Sequence, residues 1–320
     1  MFLIRYFWRK FTSKISKLKL GKLLMVAVLF FAGATIFIFF RKQVSIPIEY
    51  TAPSSALNSE NIPAPKKPPV HIPTPKPVKG IYMTSWVAGT KDWRQSMVKL
   101  IEETELNSIV IDVKDYSGHI SFEVSDPVLK KAGAAEKRIP DVVEFINYLH
   151  QKNIYVIARI SVFQDVYLVK KRPDLAVKRK DGTIWKDYKG IAWLNPASAE
   201  VWDYIIRIGK ETESVGFDEL NFDYIRYPSD GDMKNIILPY ASGAKTKAES
   251  LKVFFAYLSA ELLPLKIPLS VDLFGFTTTH SDDLNIGQIL EDAAPYFDYI
   301  SPMVYPSHYP KGYENYSNPA

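Results

Sequence analysis

The sequence predicts an α/β fold, a TIM (β/α)8-type barrel, from three observations. Short β-branched runs alternate with amphipathic helical stretches from residue 79 onward, and alternation at this spacing means a parallel sheet. The runs are apolar almost throughout, as strands covered on both faces must be. Most end in a polar or aromatic cluster, and barrels build their sites at that carboxyl end. Neither GxGxxG nor GxxxxGKS/T occurs, which weakens a dinucleotide-binding or P-loop reading.

The elements follow in order. Residues 1–22 form a basic segment, and Leu23 to Phe40 is an uncharged apolar run that reaches the length of a bilayer-crossing helix. A cleaved signal peptide is the rival, but the run continues past Ala32-Gly33-Ala34 with Ile and Phe, so an uncleaved transmembrane anchor is expected. Seven Lys/Arg precede the run and only Arg41 and Lys42 follow it closely. The positive-inside rule then gives a single-pass cell-membrane protein with a cytoplasmic N-terminus and an extracellular or periplasmic barrel. Residues 41–78 carry nine prolines and read as an extended Pro-rich linker. The barrel is assigned to 79–320.

Within it, Gly80 to Trp86 reads as a strand and Asp92 to Leu106 as a helix. Ser108 to Val113 is a strand. Asp141 to Lys152 is a helix with Val142, Phe145, Ile146 and Leu149 on one face. Ile154 to Val162 is the third strand, followed by an inserted hairpin at 177–186 turning at Asp181-Gly182. Ser198 to Ser214 is a helix started by Asn195-Pro196. Phe217 to Ile225 is the fourth strand. Lys247 to Leu263 is a helix stopped by Pro264. Ile267 to Phe274 and Phe297 to Val304 are the fifth and sixth strands. Eight strands would close a barrel, so the expectation is a barrel truncated after about six.

Composition excludes whole classes. There is no cysteine, so no disulfide scaffold, thiolate zinc site or iron–sulfur cluster exists. None of the five histidines is paired at i, i+4 spacing, and no metal or other cofactor is expected, although an all-carboxylate magnesium or calcium site stays open. The net charge of +5 is carried by the first 45 residues, which hold nine Lys/Arg and no acid. The rest is mildly acidic, which gives no support for nucleic acid as a partner.

Chemistry must therefore run mainly on carboxylates, tyrosines, lysines, arginines and amides. Strand alternation puts Glu219, Asn221 and Asp223 on one side, with Asp223 at the strand's carboxyl end and Arg226 and Tyr227 just beyond. Asp272 lies between Val271 and Leu273, and a carboxylate inside an apolar run must be paired or functional. Asp112, Lys114 and Asp115 end the second strand. The third carries Arg159, then Ser161, Gln164 and Asp165. The sixth ends with Tyr305, Ser307 and His308. Glycoside hydrolysis needs two carboxyl groups and aromatic platforms. Trp86, Trp185, Trp193, Tyr227 and Tyr305 are the candidate platforms. The candidate catalytic pair is Asp223, as nucleophile or base, with Asp272 as general acid. Asp112, Asp115, Arg159, Trp193, Arg226, Tyr227, Tyr305 and His308 are the candidate substrate contacts. The alternatives are a non-catalytic polysaccharide-binding barrel and another barrel hydrolase, such as a metal-dependent phosphodiesterase.

The stretches WLNPAS (Trp193 to Ser198), FDELNFDYIRYP (Phe217 to Pro228) and YISPMVYPSHY (Tyr299 to Tyr309), with KGIYMTSW and SIVIDVKDYSG, resemble a family of bacterial glycosyl hydrolase-like barrels formerly labelled a domain of unknown function. The resemblance covers nearly all of 79–320 and implies a TIM barrel acting on a polysaccharide. The fourth strand is also distantly similar to the chitinase-type DxxDxDxE signature through Asp218, Asn221 and Asp223, with Ile225 where that signature has its catalytic Glu. MVY (Met303 to Tyr305) is similar to the chitinase MxYD, with Pro306 in place of the Asp.

Overall fold

A computed structural model describes residues 68–309 and 311–318. The basic segment, the apolar run 23–40 and the linker to residue 67 lie outside the described residues. Among the described residues no helix is long and apolar enough to cross a membrane.

Six parallel strands form one sheet: β1 (Gly80–Met83), β2 (Ser108–Lys114), β3 (Tyr155–Ser161), β5 (Glu219–Asp223), β7 (Leu269–Phe274) and β8 (Tyr299–Met303). Their spatial order is their order in the chain, β1-β2-β3-β5-β7-β8. A doubly wound sheet reverses order at a switch point. This one never reverses, so the chain winds one way, as half of a barrel does. All six strands the sequence predicts are present.

Helices cover the sheet: α2 (Lys91–Glu102), α4 (Val142–Gln151), α6 (Ala199–Ser214) and α7 (Lys247–Leu262), with the short α1 (Ser85–Gly89), α3 (Pro127–Ala132), α5 (Val166–Lys171) and α8 (Leu290–Ala293) between them. The predicted stripe of α4, Val142, Phe145, Ile146 and Leu149, is buried as a set. At the start of α6 the Ser198 hydroxyl accepts from Val201 N at 3.4 Å, and at α7 the Thr246 hydroxyl accepts from Glu249 N at 3.1 Å. Each satisfies an amide that the helix itself cannot. Strand β1 is shorter than predicted. Thr84 caps Val87, so Ser85 and Trp86 turn into α1.

The hairpin forms as expected. Lys178 bridges Ile184 and Gly182 takes the left-handed conformation at its turn. Its first strand, β4 (Lys178–Arg179), also pairs antiparallel with β6 (Ile236–Ile237) from the loop after β5, a pairing the sequence does not announce.

The last residues of the predicted linker belong to the packed body. Ile72 N donates to Asp218 Oδ1 at 2.8 Å, Thr74 Oγ1 donates to the Tyr155 hydroxyl at 3.0 Å, and the His71 ring lies 3.1 Å from Glu213 Oε1. All three contacts are at the amino ends of β3 and β5, away from the strands' carboxyl ends.

Candidate active site

Parallel strands bring all carboxyl ends to one rim, and register decides which side chains meet there. Asp112 pairs with Arg159 across β2 and β3, and Arg159 with Asn221 across β3 and β5. Ser161 lies opposite Asp223, Asn221 opposite Ser270, and Asp272 opposite Ser301.

Arg159 is the hub. Its Nη1 donates to Asp112 Oδ1 at 2.7 Å and its Nε to Asp223 Oδ2 at 3.0 Å. A planar guanidinium suits two carboxylates on opposite sides. Tyr82 donates its hydroxyl to the other oxygen of Asp112. Asp223 Oδ1 accepts from the backbone N of Tyr224 at 2.6 Å. Next along the row, Asn221 Nδ2 donates to Asp272 Oδ1 at 3.0 Å and to Ser270 Oγ at 3.1 Å. Asp112 and Asp223 are 4% and 6% exposed, so both carboxylates depend on these partners.

The electrostatics separate the carboxyls. Burial, and then the charge of Asp223, push the Asp272 carboxyl up to about 7. Asp272 has an amide for a partner where Asp223 has a guanidinium. Burial also raises Asp112, and Arg159 offsets only part of the rise. The Tyr82 hydroxyl is raised by burial and by Asp112. Arg159 loses solvation by burial, yet Asp223 and Asp112 hold it above its ordinary value. Two neighbouring carboxyls in such different surroundings can divide proton donation from charge or nucleophile duty.

Tyr224, just past Asp223, has φ +49°, the left-handed region that a bulky side chain avoids. The strain sits beside the Arg159–Asp223 pair. The Tyr224 ring has Arg159 6.0 Å and Arg226 5.8 Å from its centroid.

The remaining predicted residues divide. Trp193 and Tyr227 need correcting as platforms: both are 0% exposed. Trp193 Nε1 donates to Asp187 Oδ2 at 3.1 Å, and the Tyr227 hydroxyl bonds Ser250 Oγ at 2.8 Å and the Pro239 carbonyl at 2.9 Å. Their apolar faces are used by the core, so no ring face is open to a sugar. Trp185 is buried likewise. Trp86 is exposed and lies under Arg138, whose Nη1 is 2.8 Å from Asp115 Oδ2. Asp115 thus belongs to an Arg138–Trp86 cluster. Lys114 and Asp165 leave the rim altogether, as a fully buried ion pair at 3.1 Å. Tyr305 is 55% exposed just beyond β8. His308 lies in a short helical turn beside it. Asp218, the first acid of the chitinase-like pattern, points to the opposite end of the sheet, where it accepts from Val156 N and contacts His150 at 2.9 Å.

Tyr82, Tyr224 and Ser270 join the row without having been singled out as site residues. The alternation Gly80, Tyr82 puts Tyr82 on the Asp112 side and was the available signal. Tyr224 points off the strand's alternation through its backbone conformation, which no residue pattern encodes.

The chain resembles several solved structures. A hypothetical protein from Ruminiclostridium thermocellum ATCC 27405 is 34% identical, with a TM-score of 0.55, over 64% of this chain and 98% of that one. A GH20 exo β-N-acetylglucosaminidase from Vibrio harveyi is 14% identical with a TM-score of 0.49, over 71% of this chain and 41% of that one. A maltogenic α-amylase from Thermotoga neapolitana is 15% identical with a TM-score of 0.44, over 71% and 49%. A comparison with curated proteins gave no match. The family model described as "Putative glycosyl hydrolase domain" matches residues 80–320, three quarters of the sequence and the whole of the β-sheet, and the chain belongs to that family.

Proposed function

We propose that this chain is a glycoside hydrolase that cleaves a polysaccharide by carboxylate acid/base catalysis. The observation that carries the proposal is the Asp223–Asp272 pair, two carboxyls on adjacent strands of which one faces a guanidinium and the other an amide. Asp272 is the general acid that protonates the leaving oxygen. Asp223, its Oδ2 fixed by Arg159, acts as nucleophile or as base toward water. Asp112 and Tyr82 hold Arg159 from the far side. In this reading Tyr305, His308 and Trp86 contact the sugar at the rim. The Leu23 to Phe40 run and its basic flank support a membrane-tethered enzyme facing cell-surface or extracellular polysaccharide.

The test is reducing-sugar release by the full chain from a panel of cell-wall and extracellular polymers. Asp223→Asn and Asp272→Asn are each expected to lower kcat by about 10²–10⁴-fold. Equal release by wild type and Asp223→Asn would remove Asp223 from the mechanism. The binding-only reading is favoured by one feature: Ile225, where the chitinase-type signature has its acid, is fully buried. It predicts sugar binding that survives both substitutions, and no release by any of the proteins.

A further inference from the structure

Arg226 differs from the other arginines of the rim. Its side chain is half-buried, with the guanidinium carbon 5.0 Å from the centroid of the Trp193 ring and 5.8 Å from that of Tyr224. Only Nη1 is used, on the Tyr227 carbonyl at 3.0 Å and Ser229 Oγ at 3.2 Å. Nε and Nη2 have no acceptor among the described residues. Arg159, by contrast, is spent on Asp112 and Asp223. Asp230, Asp223 and Asp187 are near enough to act on Arg226 through space, but burial outweighs them and depresses its pKa. The two unused nitrogens are open to solvent, while two aromatic rings lie against the cation. The planar fork of a guanidinium matches carboxylate, sulfate and phosphate oxygens.

Position sets what the fork would meet. Arg226 and Arg159 lie against the same Tyr224 ring, and Arg159 holds Asp223. The free donors of Arg226 therefore lie at the same end of the sheet as the proposed nucleophile or base, on a residue three positions beyond it.

We infer that Arg226 is an anion-binding subsite, and that the polysaccharide carries a carboxylate, sulfate or phosphate group within a sugar of the cleavage point. The inference rests on the hydrolase reading for its link to cleavage, but its binding prediction stands by itself. A uronic acid, a sulfated sugar and a phosphodiester-linked polymer share this oxyanion chemistry, and the probes separate them.

The full chain is titrated against three pairs of polymers: polygalacturonate and its methyl ester, a sulfated galactan and its desulfated form, and poly(glycerol phosphate) and neutral xylan. At least one charged member is expected to bind about 10–100-fold more tightly than its uncharged counterpart, the range for charge-assisted hydrogen bonds. Arg226→Gln should reduce that preference to within about twofold. Arg226→Lys, which keeps the charge and loses the fork, should leave an intermediate value. Identical charged-to-uncharged ratios in wild type and Arg226→Gln, for all three pairs, would overturn the subsite. If Arg226→Gln does not fold, an unchanged ratio in Arg226→Lys overturns it equally. Loss of melting temperature with an unchanged ratio would make Arg226 a loop brace. Reducing-end release is followed in parallel. Arg226-dependent binding without release sustains the subsite and defeats the hydrolase. Release from uncharged polymers, equal in wild type and Arg226→Gln, does the reverse.

Discussion

At the scale of single residues, the Arg159 hub and the Asp272 carboxyl make opposite demands. Arg159 neutralises two buried carboxylates, so Arg159→Met should cost about 3–5 kcal/mol of unfolding free energy. Adding Asp112→Asn should recover part of it, as read from urea melts. Asp272 holds its proton to about pH 7 in the folded chain, whereas an unfolded aspartate releases it near 3.8. The folded state therefore binds the extra proton across that window, and stability falls as pH rises from about 4 to 7. Asp272→Asn should abolish that slope and gain roughly 1–2 kcal/mol at pH 8, as substitutions that relieve a strained site do. If Asp272 is the acid, wild-type kcat/KM should decline above pH about 7. A rate that stays level to pH 9 would point to another proton donor.

At the scale of elements, much was legible and the exceptions have physical causes. The six strands could be read because parallel strands buried on both faces are apolar runs that no exposed helix imitates. Glu219, Asn221 and Asp223 could be placed on one side because strand alternation is a fixed period. The partners of those side chains could not, because register between strands far apart in sequence has no local signature; that Arg159 meets both Asp112 and Asp223 needed the sheet. The tryptophans were misread for a related reason. Trp193 follows a hairpin whose first strand pairs with Ile236–Ile237, and that distant pairing encloses the loop. Caps, by contrast, are local. Ser198→Ala should cost α6 about 1 kcal/mol with no change in kcat, measured by thermal melting. Gly118 is less forgiving. It has φ +87°, and a Cβ there would meet Asp165 Oδ1 at 1.9 Å. Gly118→Ala should destabilise by more than the roughly 1 kcal/mol typical of a left-handed position, because it also pushes on the buried Lys114–Asp165 pair.

At the scale of the whole molecule, the segment 71–77 and the mouth occupy opposite ends of the sheet, so each can be altered without the other. His71 faces Glu213 and Asp218, and Asp218 is also held by His150. The nearby Asp218 carboxylate, 3.8 Å away, raises the His71 pKa, with burial opposing and the hydrogen-bonded Glu213 adding. A raised histidine stabilises the fold fully below its unfolded value near 6.5, and the contribution is lost as pH rises through the folded value. Proteolysis within 68–78 should therefore be slower at pH 6 than at pH 8 in wild type, and His71→Ala should remove the difference. Asp218 is pulled below its ordinary value despite burial, by His150, His71 and two backbone amides, so its contribution persists until strongly acid pH.

The docked segment also decides where mechanical load would enter. A pull arriving along the chain at residue 68 reaches the sheet through Asp218 and Tyr155, at the heads of β5 and β3. Five residue steps lead from Asp218 to Asp223, roughly 16 Å at the rise of a parallel strand. Tension would be borne along the strands' own axes. The carboxylates stand at the far end of those same strands from the point where the load enters.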